Sequence, residues 1–181
     1  IAEQTRLYDS ISELVRPELE MISDLIETDG DLRKNMAHIC ILNCYVKRRA
    51  NLALLKDRRQ LTDSEELYLS LKESSEYIRL YGGVSDVYTA ENGKMSPDLI
   101  LFCFDLWQGV LEELLPDLYA VTAKISFDDG FIFRITADTN KETRILHKFC
   151  HTAEKLGGVL SLTSEDETVY ITLKVKGGGA V

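Results

Sequence analysis

The chain has 181 residues, an ordinary apolar share and a net charge of −9. That size holds one domain, or a small domain with a helical appendage, and the apolar share suffices for a real core. The acidic balance argues against nucleic acid or an anionic membrane surface as the main partner, and no apolar run approaches the ~20 residues of a membrane span.

From about Ala2 to Glu27, Leu7, Ile11, Leu14, Met21 and Leu25 recur at alternating steps of four and three, and Glu18 fills one seam position. Val15, Ile22 and Ile26 widen the stripe, which predicts a long helix with a broad covered face. Pro17 falls inside it and should bend it. Thr28-Asp29-Gly30-Asp31 reads as a turn. A second helix follows from about Leu32 to Asp57, with Leu32, Met36, Ile39, Leu42, Val46 and Ala53 expected on its inner face. Two long helices joined by a short turn make an antiparallel hairpin, and a hairpin covers both stripes best by pairing with a second hairpin in a four-helix bundle.

Thr62-Asp63-Ser64-Glu65 has the form of a capping box, opening a third helix that Gly82-Gly83 ends. Val84–Thr89 reads as a short strand and Glu91-Asn92-Gly93 as a turn. Ser96-Pro97 is an N-cap followed by proline at the first helical position. The helix after it, to about Leu115, is so apolar that it should lie across a sheet. Tyr119–Phe127 alternates, Asp128-Asp129-Gly130 is a hairpin turn, and Phe131–Ala137 is the return strand. Thr139-x-x-Glu142 forms a second capping box, taken to open a helix that runs to Gly157. Two strands complete an α+β chain: an antiparallel helix hairpin over residues 1–60, then a two-layer α/β sandwich over 61–176, with 177–181 a flexible tail.

The closing segment carries a resemblance. Ala153-Glu154-Lys155-Leu156-Gly157-Gly158 stops a helix at a glycine pair, and Val159–Ser164 and Thr168–Val175 follow as alternating strands across an acidic turn. This resembles the last helix–strand–strand unit of the ATP-binding domain of sensor histidine kinases, the GHKL fold. The order of a helix hairpin followed by a sandwich is similar to the cytoplasmic core of such a kinase, over nearly the whole chain. Tyr45-Val46-Lys47-Arg48-Arg49-Ala50-Asn51-Leu52 also looks like a segment of one branch of membrane-bound sensors in this family.

The resemblance implies a phosphoacceptor histidine on the first helix and an ATP site in the sandwich. Aligned on the family's phosphoacceptor motifs, the histidine position falls on Tyr8, Ser12 or Glu18, and the first helix has no histidine. An imidazole is nucleophilic at neutral pH, whereas a serine or tyrosine hydroxyl needs a base beside it. The nucleotide site of the family uses an Asn on the buried helix, an Asp-x-Gly and a glycine-rich lid. Here the helix reads Leu106-Trp107-Gln108-Gly109-Val110-Leu111-Glu112-Glu113, and the Asp-x-Gly place holds Ala137-Asp138-Thr139-Asn140. No lid is evident, and phosphates need backbone N–H groups that glycine lets approach closely. Asp138, Gly157 and Gly158 are the remaining cofactor-binding candidates, with Mg-ATP the cofactor if the site is less degenerate than this.

The expectation is a signalling module of a histidine-kinase-like membrane sensor, a degenerate kinase that dimerises through its hairpin. The start at Ile1 suggests a cytoplasmic portion with a membrane segment upstream. One alternative is an active kinase fragment that binds ATP. The other is a dimeric phosphotransfer or partner-binding protein using His38, the hairpin's only histidine. Lys47, Arg48 and Arg49, with Lys56, Arg58 and Arg59, form a basic stretch that either docks an acidic partner such as a response-regulator receiver domain or is a solvated, internally paired face. His147 and His151, four apart on the last helix, supply only two ligands, and Cys40, Cys44, Cys103 and Cys150 form no Cys-x-x-Cys pair. They read as ordinary surface residues and reduced thiols, so no metal is expected and nucleic acid is not an expected partner.

Overall fold

Two helices of 26 residues each, α1 (Ala2–Glu27) and α2 (Leu32–Asp57), form the expected hairpin. The computed structural model describes the backbone of residues 2–57 and 61–176, and the side chains of residues 9–55 and 61–176. Expectations for the side chains of Leu7, Tyr8, Lys56, Arg58 and Arg59, and for the tail at 177–181, lie outside the described residues. Asp31 starts α2 as an N-cap. Its carboxylate accepts from the backbone N–H of Arg33 at 3.0 Å and of Lys34 at 3.2 Å, and its carbonyl accepts from the N–H of Asn35. The Asn35 side chain in turn donates to the Thr28 carbonyl, which ties the turn to the helix it precedes.

Helix α1 runs without interruption through Pro17, which sits on its exposed side. Its covered face carries Ile11, Val15, Glu18, Met21, Ile22 and Leu25, while Leu14, Leu19 and Ile26 remain exposed. The inner face of α2 differs from expectation. Leu32 and Met36 are 75% and 52% exposed, and the buried positions are Ala37, Ile41, Leu42, Cys44, Tyr45 and Leu52. The reason is that α2 is covered from two directions, by α1 on one side and by α3 (Glu65–Tyr81) and α4 (Pro97–Leu114) on the other. A single-stripe pattern does not describe a helix with two partners.

The remaining elements are β1 (Thr62–Asp63), α3 (Glu65–Tyr81), β2 (Val84–Thr89), β3 (Lys94–Met95), α4 (Pro97–Leu114), a 3₁₀ turn at Leu115–Asp117, β4 (Leu118–Ser126), β5 (Phe131–Thr139), α5 (Ile145–Lys155), β6 (Gly158–Glu165) and β7 (Thr168–Val175). The main sheet has the order β2-β4-β5-β7-β6, with β2 parallel to β4 and every other pair antiparallel. Helices α3, α4 and α5 cover one face. This is the α+β architecture expected, a helix hairpin followed by a two-layer sandwich. The two-residue pair β1–β3 was not expected from sequence.

The caps divide. Ser96 accepts from the N–H of Leu99 with Pro97 behind it, and Gly82 ends α3 at φ 115°, both as read. The two capping boxes are not formed. Thr62 belongs to β1, and Ser64 turns its hydroxyl to accept from the Gly93 N–H at 3.0 Å, fastening the turn before β3. Thr139 ends β5, so α5 begins only at Ile145, after a short connector.

The core is continuous from sandwich to hairpin. Trp107, Phe104, Phe131 and Phe133 are fully buried, and Ile41, Tyr45 and Leu52 of α2 belong to the same cluster. Trp107 donates its indole N–H to Ser74 at 3.0 Å, so the largest core side chain leaves no orphan donor. Tyr45 packs on Phe104 with ring centroids 5.4 Å apart.

Candidate functional site

The nucleotide-binding candidates are not brought together. Asp138 alternates out of the core, and its carboxylate accepts from the Thr168 hydroxyl at 2.9 Å on the open side of the sheet. Helix α4 lies on the other side. Gly157 takes φ 71° at the end of α5, and Gly158 packs so closely that a Cβ there would lie 2.9 Å from Leu173. Both glycines therefore serve the helix–strand junction. Gly157 also borders a ~360 Å³ cavity with Ser96, Asp98 and Lys155.

On α4, Gly109 faces α5. A Cβ at Gly109 would lie 2.8 Å from the Phe149 ring and 3.2 Å from Ile145. Phe149 and Ile145 are buried, and Phe149 meets Phe102 edge to face at 5.9 Å. At Gly109 the space between α4 and α5 is thus filled by hydrocarbon, whereas beside Leu101, Phe102 and Asp105 a cavity of about 290 Å³ stays open between the two helices. Glu113 holds the connector that brings α5 there. Its carboxylate accepts from the Arg144 N–H at 2.7 Å and its carbonyl accepts from Lys141 Nζ at 2.8 Å. Gln108 is buried and donates to Glu112, whose other carboxylate oxygen lies 4.0 Å from Lys148. The acidic pair at the end of α4 therefore works inside the fold.

A second polar cluster joins the hairpin to the sandwich. Arg49 of α2 makes a two-pronged ion pair with Asp105 of α4 at 2.7 and 2.8 Å, and the Tyr45 hydroxyl donates to the same carboxylate at 2.7 Å. The two residues just before Arg49 on α2, Lys47 and Arg48, both bind Glu73 of α3. The basic stretch is thus spent on carboxylates of the sandwich in its described part. Burial pushes the Tyr45 hydroxyl well above its ordinary range, and the neighbouring Asp105 adds to it. Burial opposes the Arg49 charge, but the Asp105 bonds outweigh it and the guanidinium is held more firmly protonated than usual. Burial likewise acts to raise Glu73, yet its bonds from Lys47 and Arg48 carry it below the usual carboxylate range.

Glu18 faces this cluster from α1. It is only 9% exposed, and its Oε2 has no hydrogen-bond partner among the described residues. Burial raises its pKa and the Glu112 charge adds to that, while Arg49 pulls the other way. Of the other phosphoacceptor registers, Ser12 is exposed on α1 and Tyr8 lies among the undescribed side chains. His38 is half-buried against Tyr81 of α3, edge to face at 6.3 Å, and burial lowers its pKa. His147 and His151 are exposed on α5. No group of acidic, histidine or cysteine side chains suited to a metal occurs among the described residues, and burial lifts the Cys44 thiol to about 12.

Asp105, Tyr45, Glu73 and Phe149 were not singled out from sequence. Asp105 carried the clearest signal. It is the one charge between Leu99 and Leu111 in an otherwise apolar helix, and such a charge needs a cation from elsewhere in the fold.

No family model and no curated protein matches the chain. Among solved structures, the histidine kinase AdeS of Acinetobacter baumannii superposes at a TM-score of 0.51 with 12% identity, covering 91% of this chain and 97% of that one. The histidine kinase domain of the blue-light activated kinase EL346 of Erythrobacter litoralis gives 0.51 with 15% identity, covering 91% and 95%. Full-length ShkA, in complex with AMPPNP, gives 0.53 with 12% identity, covering 97% of this chain and 46% of that one. The chain has the fold of these histidine kinase domains.

Proposed function

We propose that this chain is a signalling module of a histidine-kinase-like sensor in which the nucleotide site has been given over to packing, so that its output is conformational. The observation that supports this best is the Phe149–Gly109 contact. On α4, the helix that carries the Asn in the family, the space over Gly109 is occupied by an aromatic ring and Ile145. Asp138 is turned to the far side of the sheet, bound to Thr168. In the first helix, the described candidates for accepting a phosphoryl group are an exposed serine and a buried carboxylate. A carboxylate would give only a labile acyl phosphate.

The module acts as a homodimer through its hairpin. Leu14, Leu19, Ile26, Leu32 and Met36 leave apolar side chains on the outside of the two helices, more than one hairpin covers. A change in hairpin packing reaches the sandwich through Arg49–Asp105 and Glu73, and a partner protein such as a receiver domain reads it. Incubation with labelled Mg-ATP tests the catalytic side. The protein should stay unlabelled, and label that disappears in Ser12→Ala, Glu18→Gln or His38→Gln would identify a working acceptor and overturn the reading.

A further inference from the structure

On the face of the sheet that carries no helix the charges are separated: Asp86, Asp138 and Glu165 lie in the rows toward one end, and the cations gather in the two rows at the other. Side chains that alternate away from the core line up across the strands. In one row Tyr88 of β2 stands opposite Lys124 of β4, which stands opposite Arg134 of β5. In the next row Ile132 of β5 and Val159 of β6 flank Lys174 of β7. Lys124, Arg134 and Lys174 are exposed and make no ion pair with a described residue. Arg134 donates only to the Thr172 hydroxyl, at 3.3 Å. Asp86, on the same face two residues before Tyr88, is already held by Lys72 at 2.6 Å.

Two features set this patch apart from an ordinary solvated face. Like charges directly opposite each other on neighbouring strands are unfavourable, and Lys124 and Arg134 are such a pair. Acidic residues outnumber basic ones in the chain, 30 to 21, yet these two rows hold three cations and no carboxylate. Beside the cations, Val159 is 68% and Tyr88 51% exposed. Tyrosine and arginine beside exposed apolar groups is the composition of a protein-binding patch.

The geometry points to this end of the open sheet face as a docking surface for an acidic protein partner, one that sets a carboxylate cluster on Lys124, Arg134 and Lys174 and apolar side chains against Ile132 and Val159 on either side of Lys174. A single-stranded nucleic acid fits less well. Stacking platforms need neighbouring aromatic rings, and Tyr88 and Tyr170 stand three strands apart, about 14 Å at the usual strand spacing. An anionic membrane is an extended surface that also meets the acidic remainder of the protein, whereas a protein's acidic patch meets only what lies within about 8 Å, the screening length. The inference is independent of the nucleotide and dimer readings, because none of these residues belongs to α4 or the hairpin.

The test is an amide NMR titration of the whole chain with a short poly-glutamate peptide as the probe. Shifts should gather on β4, β5 and β7, weaken with added salt, and fall in affinity by about an order of magnitude in Lys124→Glu. Because Lys124→Glu turns a like-charge pair into an opposite-charge pair with Arg134, that variant should melt no lower than the parent, which separates lost binding from lost folding. Arg33→Glu, an exposed change on the hairpin, should leave the shifts intact. Absence of shifts, or shifts centred on α2, would overturn the inference. So would tighter binding of oligothymidine or of phosphatidylserine vesicles to the same face.

Discussion

Asp105 is the residue on which the hairpin and the sandwich meet. Its carboxylate receives Arg49 twice and Tyr45 once. Removing the guanidinium in Arg49→Ala leaves a mostly buried carboxylate beside Glu18 with only a phenol to satisfy it, and should cost about 3 kcal/mol in chemical denaturation. Arg49→Lys should recover part of that, since an ammonium restores the charge but not the two-pronged bond. A loss below about 0.5 kcal/mol in Arg49→Ala would mean that the pair is a solvated contact of little consequence.

Glu18 makes the opposite prediction. Its folded pKa is raised by burial above the ordinary 4.5, so its contribution to stability is fully present below that value and is lost as pH rises through the raised value. At neutral pH the ionised carboxylate sits under cover with one oxygen unpartnered. Glu18→Gln should therefore be the more stable protein at pH 7 by about 1 kcal/mol, and its advantage should shrink as the pH is lowered toward 4. An advantage that does not change with pH would mean that Glu18 keeps its ordinary pKa. Glu18 was legible in the sequence as a break in an apolar seam and as one phosphoacceptor register, but not as a buried charge. Its burial against Arg49 and Glu112 depends on α2 and α4, which no local pattern in α1 encodes.

At the scale of elements, α5 is held to α4 by shape. Gly109→Ala places a methyl inside the Phe149 ring's contact distance and should destabilise by about 1–3 kcal/mol. Phe149→Ala removes the ring and should cost about 3 kcal/mol through the cavity it leaves. The pair Gly109→Ala with Phe149→Ala should cost less than the sum, because the methyl then enters vacated space. Strict additivity would show that the two residues do not share that space. For the hairpin, Ile26→Asp or Met36→Glu changes exposed positions only and should turn a dimer into a monomer by light scattering without loss of helix signal. A parent that is monomeric at micromolar concentration would remove the dimer from the proposal.

The strands and helices were legible where the pattern has one partner. The alternation read over Tyr119–Phe127 puts Val121, Ala123 and Ile125 into the core, and the apolar run from Leu99 does lie across the sheet. The pattern misled where a segment has two partners or an alternative use. Leu32 and Met36 look like core residues of α2 but lie near the hairpin tip, while Tyr45, with its hydroxyl, is the residue that enters the core. Thr139 and Glu142 match a capping box in type and spacing, but Thr139 is claimed by β5, where it pairs with Leu118. The candidate site was half legible. The missing Asn and lid can be read from the sequence, but Phe149 filling the place beside Gly109 is a long-range packing fact with no local signature.

For the molecule as a whole, the continuity of the core is decisive. Ile41, Tyr45 and Leu52 pack in the same cluster as Trp107 and Leu111, so hairpin and sandwich should melt together in a single cooperative transition. A fold whose Asp138 is bound to Thr168 and whose Gly109 is covered by Phe149 should also be indifferent to nucleotide. A ligand at about 100 times its Kd stabilises a protein by about 2.7 kcal/mol, which raises the melting temperature of a domain this size by several degrees. The most direct measurement is therefore the melting temperature across a titration of Mg-ATP to millimolar concentration. The account predicts a flat line. A rise of several degrees that saturates with ATP, and that is lost in Asp138→Asn, would contradict it.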